Sequence, residues 1–278
     1  MMQIIIRFAK RAAVFLPGIF IAYVSLKYTL PFFNRRLPAI VAILVTYALA
    51  AYILIPAILR IFRIIFPPSH LPLYCVTPDG FASDPLNIGF VCSRRELIAT
   101  MTKAGWHLAD PHTPKNLIRH VFALVLGLSY VNAPMSKLYL FGRKHDLAFE
   151  IAINGTNFRR HHVRFWATTF DDGKKLSAST IHWQNQKTHV NSNHLLWVGA
   201  ASLDIGIVPI RHNLQLTHLV HPDTNQEREL IVKKLKTQGF VKKVVQIKLD
   251  NPYKLINRSW RGELQTDGKM AVIWLNKI

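Results

Sequence analysis

The sequence is poor in acidic residues and in cysteine. Only 15 of its 278 residues are Asp or Glu, against 35 Lys and Arg, and no acidic residue precedes Asp79. Two cysteines, Cys75 and Cys92, cannot form a disulfide scaffold, and no C-x-x-C pair is present to indicate a metal site. Their free thiols fit a reducing compartment. A disulfide-rich secreted domain is therefore excluded.

Motifs for well-known chemistries are also missing. The sequence has no HExxH, no P-loop, no G-x-G-x-x-G and no Ser–His–Asp signature. Because helix-turn-helix, zinc-finger and RNP patterns are absent too, we predict no nucleic-acid partner for this basic chain. No cofactor is predicted. Disorder is excluded, since the chain holds 16 Phe and 6 Trp and half of its residues are hydrophobic.

Long apolar runs are present near the N-terminus. Residues 12–33 carry one charge, Lys27, and residues 37–59 carry none. Both exceed the roughly 20 residues that cross a bilayer, so we predict a two-helix membrane anchor over residues 1–66 that contacts lipid through residues 12–59. A signal peptide is disfavoured because no small-x-small cleavage site precedes the second run. A buried soluble hairpin is disfavoured because such helices seldom carry uncharged runs this long.

The charges that flank the two runs predict the orientation of the anchor. Five basic residues lie outside the runs on the terminal sides, and three lie in or beside the connection: Arg7, Lys10, Arg11, Arg60 and Arg63 against Lys27, Arg35 and Arg36. Positive charge favours the cytoplasmic side. We therefore expect a multi-pass inner-membrane protein whose C-terminal domain is cytoplasmic.

Residues 67–278 are predicted to form a second domain, which begins where Pro67-Pro68 ends the second run. This part carries 27 basic residues, all 15 acidic ones and all 13 histidines. Helices are predicted at 94–104, 116–126 and 223–238, with Ser93 and Asp223 as N-caps. Strands are predicted at 86–91, 138–141, 147–153, 161–170, within 195–207, at 241–249 and at 270–276. The predicted class is α+β, with helices packed on a mostly antiparallel sheet.

The densest polar segment is residues 159–166, RRHHVRFW. On a strand, His162, Arg164 and Trp166 share one face, and His161 lies on the opposite face. A row of His, Arg and Trp suits an anionic group such as phosphate or carboxylate. The alternative is a half-exposed strand whose polar face meets water.

A second polar cluster surrounds His218, which follows Thr217 and precedes Asp223. A structural role would make Asp223 a helix cap. A functional role would make His218 a general base, or a metal ligand together with Asp204 or Asp223, near the His162 face. The catalytic candidates are therefore His162, His218 and Asp204, whereas no metal site is predicted.

These segments resemble the LssY C-terminal domain family of bacterial proteins, over residues 84–239 in order. The matching stretches are Asp84–Asn87, Ser93–Leu97, Ala104–Trp106, Ala109–Pro111, Ala133–Arg143, Asp146–Phe149, Arg160–Trp166, Trp197–Ala201 with Asp204, Thr217-His218, Pro222-Asp223 and Glu227-Arg228. The chain departs from the family in an insertion at residues 177–194.

The resemblance implies a location more than a reaction, because the family has no agreed activity. Its members follow membrane spans, sometimes beside lipid-phosphatase-like domains, whose motif this chain lacks. We expect an accessory module that binds a lipid headgroup or phosphate at the inner membrane, with a membrane-protein partner as a further possibility. The alternative is a hydrolase of phosphate-containing or lipidic substrates that uses His162 and His218. The expected anion-binding residues are Arg143, Asp146, Arg160, His161, His162, Arg164, Trp166, Thr217 and His218.

Overall fold

The computed structural model describes residues 19–55, 57–58, 71–78, 80–126, 130–140, 142–153, 156–170, 175–183, 195–209, 216–256 and 263–276. The chain divides into two compact units. The first comprises Met1–Pro67 with Pro78–Phe81, and the second comprises Pro68–Thr77 with Ala82–Ile278.

The described part of the first unit is helical. Residues 19–24 continue into a π-helical segment, Ser25–Thr29, then α1 (Leu30–Asn34), α2 (Ala39–Leu49) and a second π-helical segment, Ala50–Leu54. Within the described residues, no helix combines the length and hydropathy needed to cross a bilayer. The two transmembrane helices predicted at 12–33 and 37–59 thus find no support in the structure, where π-helical segments interrupt the α-helices. Residues 12–18 of the first predicted helix lie outside the described residues.

The second unit is built on a large, mostly antiparallel sheet. Fifteen strands are described: β1 (Tyr74–Val76), β2 (Ala82–Pro85), β3 (Ile88–Val91), β4 (His107–Leu108), β5 (Tyr139–Leu140), β6 (Arg143–Lys144), β7 (Leu147–Ile153), β8 (Thr156–Phe170), β9 (Ile181–Trp183), β10 (Leu195–Pro209), β11 (Leu216–Val220), β12 (Val241–Lys248), β13 (Tyr253–Ile256), β14 (Glu263–Thr266) and β15 (Lys269–Leu275). The large sheet has the order β12-β15-β3-β10-β8-β7-β4, with β11 on β10 and β9 on β8. Only the β15–β3 pair is parallel.

Two helices cover one face of this sheet, α3 (Arg94–Lys103) and α5 (Asn225–Thr237), while α4 (Pro114–Val125) lies between them in the chain. Leu97, Met101, Ile231 and Leu235 join strand residues such as Phe165 in one buried core. The predicted α+β class, with helices on a mostly antiparallel sheet, is confirmed.

The helix ends follow from local sequence signals. Ser93 and Glu96 form a reciprocal capping box, as predicted for Ser93, and both α3 and α5 end before a glycine of positive φ, Gly105 and Gly239. The predicted cap of α5 was one residue early, because Thr224 is the N-cap residue. The Asp223 carboxylate accepts instead from the backbone N–H of Asn225, at 2.9 Å.

The other face of the large sheet is also buried. A four-stranded sheet of order β2-β1-β5-β6 supplies Cys75 and Leu140 to a second core with Trp166 and Val198. The alternative of a half-exposed strand whose polar face meets water is therefore wrong for β8, because both faces of the strand are covered. The strands that the sequence did not reveal, such as β1, β4, β6 and β11, are short and lack a sustained alternation. Residues 184–194 of the predicted insertion lie outside the described residues.

Gly199 on β10 gives a test of the packing at the sheet centre. A Cβ there would lie 2.6 Å from Phe165 Cε1 and 2.9 Å from Ile88 Cγ2. We expect Gly199→Ala to lower the free energy of unfolding by about 1–3 kcal/mol, because the core must shift to admit the methyl group. Gly206→Ala is the matched control on the same strand, since no atom lies within 4 Å of its Cβ position. Equal denaturation midpoints for the two variants would contradict this packing.

Candidate functional site

Strand β8 turns its charged side chains toward one face of the sheet. Arg160, His162 and Arg164 are buried there, on the side of β2 and of the loop before β5. Val163 and Phe165 point the other way, into the core beneath α3 and α5. The alternation read from the sequence is therefore present, but its polar face meets protein instead of water.

Arg160 is the centre of a buried charged network. Its Nη1 lies 2.6 Å from Glu150 Oε2 on β7, and its Nε lies 3.1 Å from Asp204 Oδ2 on β10. Its Nη2 lies 3.3 Å from Nε2 of His218 on β11. A single guanidinium thus ties three neighbouring strands to β8, and each of its nitrogens has a partner.

Arg164 and His162 extend the network toward β2. Arg164 donates from Nη1 to Asp84 Oδ2 at 3.0 Å and from Nε to the Ser136 carbonyl at 3.3 Å. The His162 ring lies between two carboxylates, with Nε2 3.5 Å from Asp84 Oδ2 and Nδ1 3.4 Å from Asp204 Oδ2. His162 therefore joins the Asp84–Arg164 pair to the Arg160 cluster.

The charges of the network nearly cancel. Three carboxylates, from Asp84, Glu150 and Asp204, face two guanidinium groups and two imidazoles. Burial alone would raise the pKa of Asp204, but the charges of His162, His218 and Arg160 outweigh it and hold that pKa below its usual range. Asp204 is thus a carboxylate at neutral pH.

His218 is the member of the network that reaches solvent. Its side chain is 29% exposed, whereas those of the other members are at most 5% exposed. Burial of the ring lowers its pKa to about 4, against the attraction of Asp204. The neutral ring accepts at Nε2 from Arg160, since a guanidinium has only donors, so the proton sits on Nδ1, 3.5 Å from Asp204 Oδ2.

The structure places Arg143, Asp146 and Trp166 away from the part of this network formed by Arg160 and His218. Arg143 Nη2 lies 2.6 Å from Asp146 Oδ2 and 2.8 Å from the Ala167 carbonyl, while Trp166 Nε1 donates to the Arg143 carbonyl. Ala167 is seven residues beyond Arg160, roughly 20 Å along the strand. These three predicted site residues contact one another at the Ala167 end of β8, beyond Arg164 and far from His218.

Two further predicted residues also lie apart. His161, on the opposite face of β8, pairs through Nδ1 with the buried carboxylate of Glu227 on α5, at 2.8 Å. Thr217 pairs with Val208 in the β10–β11 ladder. Of the nine predicted anion-binding residues, the network contains Arg160, His162, Arg164 and His218, and it includes the catalytic candidate Asp204.

Sequence reasoning did not single out Asp84 and Glu150 for the site. Asp84 was noted within the stretch Asp84–Asn87, and its partner Arg164 lies 80 positions further along the chain. Glu150 had a usable signal, because it is a lone carboxylate in the otherwise apolar strand β7. A buried carboxylate on a central strand requires a cationic partner.

The chemistry open to the network is set by its arginines. Within the part of the chain that the structure describes, no three or more His, Cys, Asp or Glu side chains are grouped to hold a metal ion. The guanidinium of Arg160 lies between Glu150 and Asp204, and the proposed metal partner Asp223 bonds to Asn225. The histidines and carboxylates of the network can bind protons. At the exposed edge beside His218, the network can also place an acceptor atom of a ligand against the Arg160 guanidinium.

Replacing Arg160 by Met tests whether the network supports the fold. Glu150 and Asp204 would stay buried without a cation, so we expect Arg160→Met to cost about 3–5 kcal/mol of unfolding free energy. Arg159→Met is the matched control, because Arg159 is exposed on the same strand and a surface change costs within about 0.5 kcal/mol. Chemical denaturation at neutral pH measures both. A loss in Arg160→Met no larger than in the control would exclude this role.

A neutral buried imidazole near Arg164 makes stability depend on pH. Burial, with the charges of Arg164 and Lys144, lowers the pKa of His145 to about 2, and its ring packs edge-on against Trp166. Below about pH 6.5, His145 binds a proton in the unfolded chain but not in the folded chain. The free energy of unfolding is therefore highest above that pH, as far as His145 is concerned, and falls as the pH is lowered.

We therefore expect that lowering the pH from 8 to 5 costs His145→Phe, which keeps the ring contact, about 2 kcal/mol less unfolding free energy than it costs the native chain. Thermal denaturation at the two pH values measures the difference. If both chains lose the same stability between these pH values, His145 is not the acid-sensitive group.

Comparisons with known proteins address the family of the chain. No curated protein and no solved structure matches it. The model of the family described as LssY C-terminus matches residues 69–270, which include every member of the charged network. The match covers most of the chain and agrees with the resemblance seen in the sequence. This protein belongs to the LssY C-terminus family.

Proposed function

We propose that this protein is an accessory component of a bacterial inner membrane and that its C-terminal domain binds an anionic group, a phosphate or a phosphate-bearing lipid headgroup, beside His218. The observation that carries the proposal is the contact between Arg160 and the one partly exposed member of the network, His218. A ligand that approaches the network from solvent meets His218 first and the Arg160 guanidinium directly behind it.

An anion is the ligand that this edge fits best. Arg160 Nη2 donates to a neutral imidazole nitrogen, and it can exchange that acceptor without losing its contacts to Glu150 and Asp204. A phosphate oxygen is a stronger acceptor for a guanidinium than a neutral imidazole nitrogen, because it carries a charge opposite to that of the donor. Once protonated, His218 becomes a second hydrogen-bond donor to the anion, and its charge compensates the third carboxylate of the network. Anion binding should therefore be accompanied by uptake of one proton by the protein.

The proposed membrane association comes from the first unit and from charge. Residues 12–59 are proposed to contact lipid, and Ile19, Leu26 and Ile40 expose apolar side chains in the described part of that unit. The basic flanks of the two apolar runs favour a cytoplasmic C-terminal domain. There the excess of basic residues would be drawn to the anionic inner leaflet.

A hydrolase that uses His162 and His218 is the second candidate, and it has less support. The Asp204–His218 pair resembles an orienting carboxylate and its base, but Arg160 occupies the Nε2 lone pair that a base needs. His162 is buried, with a side chain that is 2% exposed.

Titration of the full chain in neutral detergent tests the proposal. The probes are inorganic phosphate, sulfate and a short-chain phosphatidylglycerol, each at pH 6 and pH 8; sulfate keeps its charge over this range, so its pH dependence reports the protein. We expect several-fold tighter binding at pH 6, where protonation of His218 is easier. His218→Ala should lose at least about tenfold in affinity, about 1.4 kcal/mol. His221→Ala, in the same segment, is the matched control.

The outcomes separate the ligands. Saturable binding of phosphate and sulfate indicates a free oxyanion, and binding of the lipid alone indicates a headgroup. No saturable binding of any probe, or equal binding by the native chain and His218→Ala, would overturn the proposal. Release of phosphate from an added phosphate ester, lost in His218→Ala, would support the hydrolase instead.

A further inference from the structure

Helix α4 exposes an apolar stripe. Leu117, Ile118, Phe122 and Leu126, the last directly after the helix, are 52 to 63% exposed. Ile118, Phe122 and Leu126 are four residues apart, and Leu117 is next to Ile118, so the four side chains lie on one side of the helix. We call them the α4 stripe. Large apolar side chains gathered on one exposed surface indicate an interaction site.

The helix is held to the domain by its other sides, so it cannot bury the stripe by turning over. Ala123 is buried with Tyr130 and Ala133 in a small core. The Tyr130 hydroxyl lies 2.5 Å from Asp110 Oδ2, and the Arg119 guanidinium lies over the Tyr130 ring, 4.2 Å from its centre. The stripe is therefore presented outward by packing.

The surroundings of the stripe are basic. Residues 111–145 contain five Lys and Arg and no Asp or Glu. Lys115, Arg119 and Lys137 are exposed, and Lys137 lies close enough to His112, just before α4, to lower its pKa after the larger effect of burial. An apolar stripe flanked by basic residues is typical of helices that lie in the interface of an anionic membrane.

We propose that α4 is a membrane-interface helix, whose stripe enters the headgroup–acyl boundary of an anionic bilayer while Lys115, Arg119 and Lys137 contact the headgroups. The charge pattern disfavours a second copy as the occupant, because a two-fold interface would set the exposed Lys and Arg side chains of two copies against each other, while the Asp110 carboxylate beside them is engaged by Tyr130. The inference rests on the proposed membrane location of the chain, but not on anion binding at His218.

Spin-label depth measurement on the full chain tests this inference. The label is placed at Phe122→Cys, in a background with Cys75→Ala and Cys92→Ala, and the chain is reconstituted in vesicles of mixed neutral and anionic lipid. Gln226→Cys, exposed on α5, is the matched control. We expect the label at 122 to lie about 5–10 Å into the interface, with several-fold higher oxygen than nickel-complex accessibility. The label at 226 should show the reverse.

Three results would overturn the inference. High nickel accessibility at 122 would leave the stripe in water. Spin–spin broadening that disappears on dilution with unlabelled chain would place a second copy on the stripe. Low accessibility to both reagents without broadening would place another protein segment there. Flotation of the same samples separates the two proposals: a chain that does not float with vesicles lacks the membrane location, whereas a floating chain with a water-exposed label contradicts only the role of α4.

Discussion

The fold depends on one buried cation, the guanidinium of Arg160. Because both faces of the sheet are covered at its centre, a charge that is buried there must find its partner inside the protein. Arg160 contacts Glu150 on β7, Asp204 on β10 and His218 on β11. One side chain of β8 thus links four strands and fixes their alignment. A slip of one residue would turn the charged row of β8 into the apolar core beneath α3 and α5. The network thus stabilises one register against its alternatives.

The same neutralisation limits what the network can do. A site for a strongly held anion usually leaves cationic donors free, but here both arginines are committed to carboxylates. The exception is the Arg160–His218 contact, which joins a charged donor to a neutral acceptor at the partly exposed edge. The proposed binding of an anion at this edge would therefore be linked to protonation of His218. A weak, proton-coupled interaction fits an accessory protein better than it fits a catalyst.

How much the sequence revealed depended on the range of the interaction. The Ser93 cap of α3, the faces of β8 and the three helices of the second unit follow from neighbouring residues and were predicted. Asp84 and Glu150 escaped notice as site residues because their partners are set by strand register, which no local pattern encodes. For the same reason Arg143 was grouped with His218, although β8 holds them far apart. The apolar run at residues 37–59 predicted one long helix, where the structure has α2 followed by a π-helical segment.

Burial also redistributes charge between the interior and the surface. Four of the 15 acidic residues, Asp84, Glu150, Asp204 and Glu227, are buried, against three arginines among the described residues. These four carboxylates, from β2, β7, β10 and α5, lie inside the protein, where they compensate Arg and His side chains of β8 and β11. The outer surface is consequently at least as basic as the composition implies. The proposed contact of α4 with an anionic bilayer rests on that surface and does not depend on ligand binding by the network, because the two proposals involve different residues.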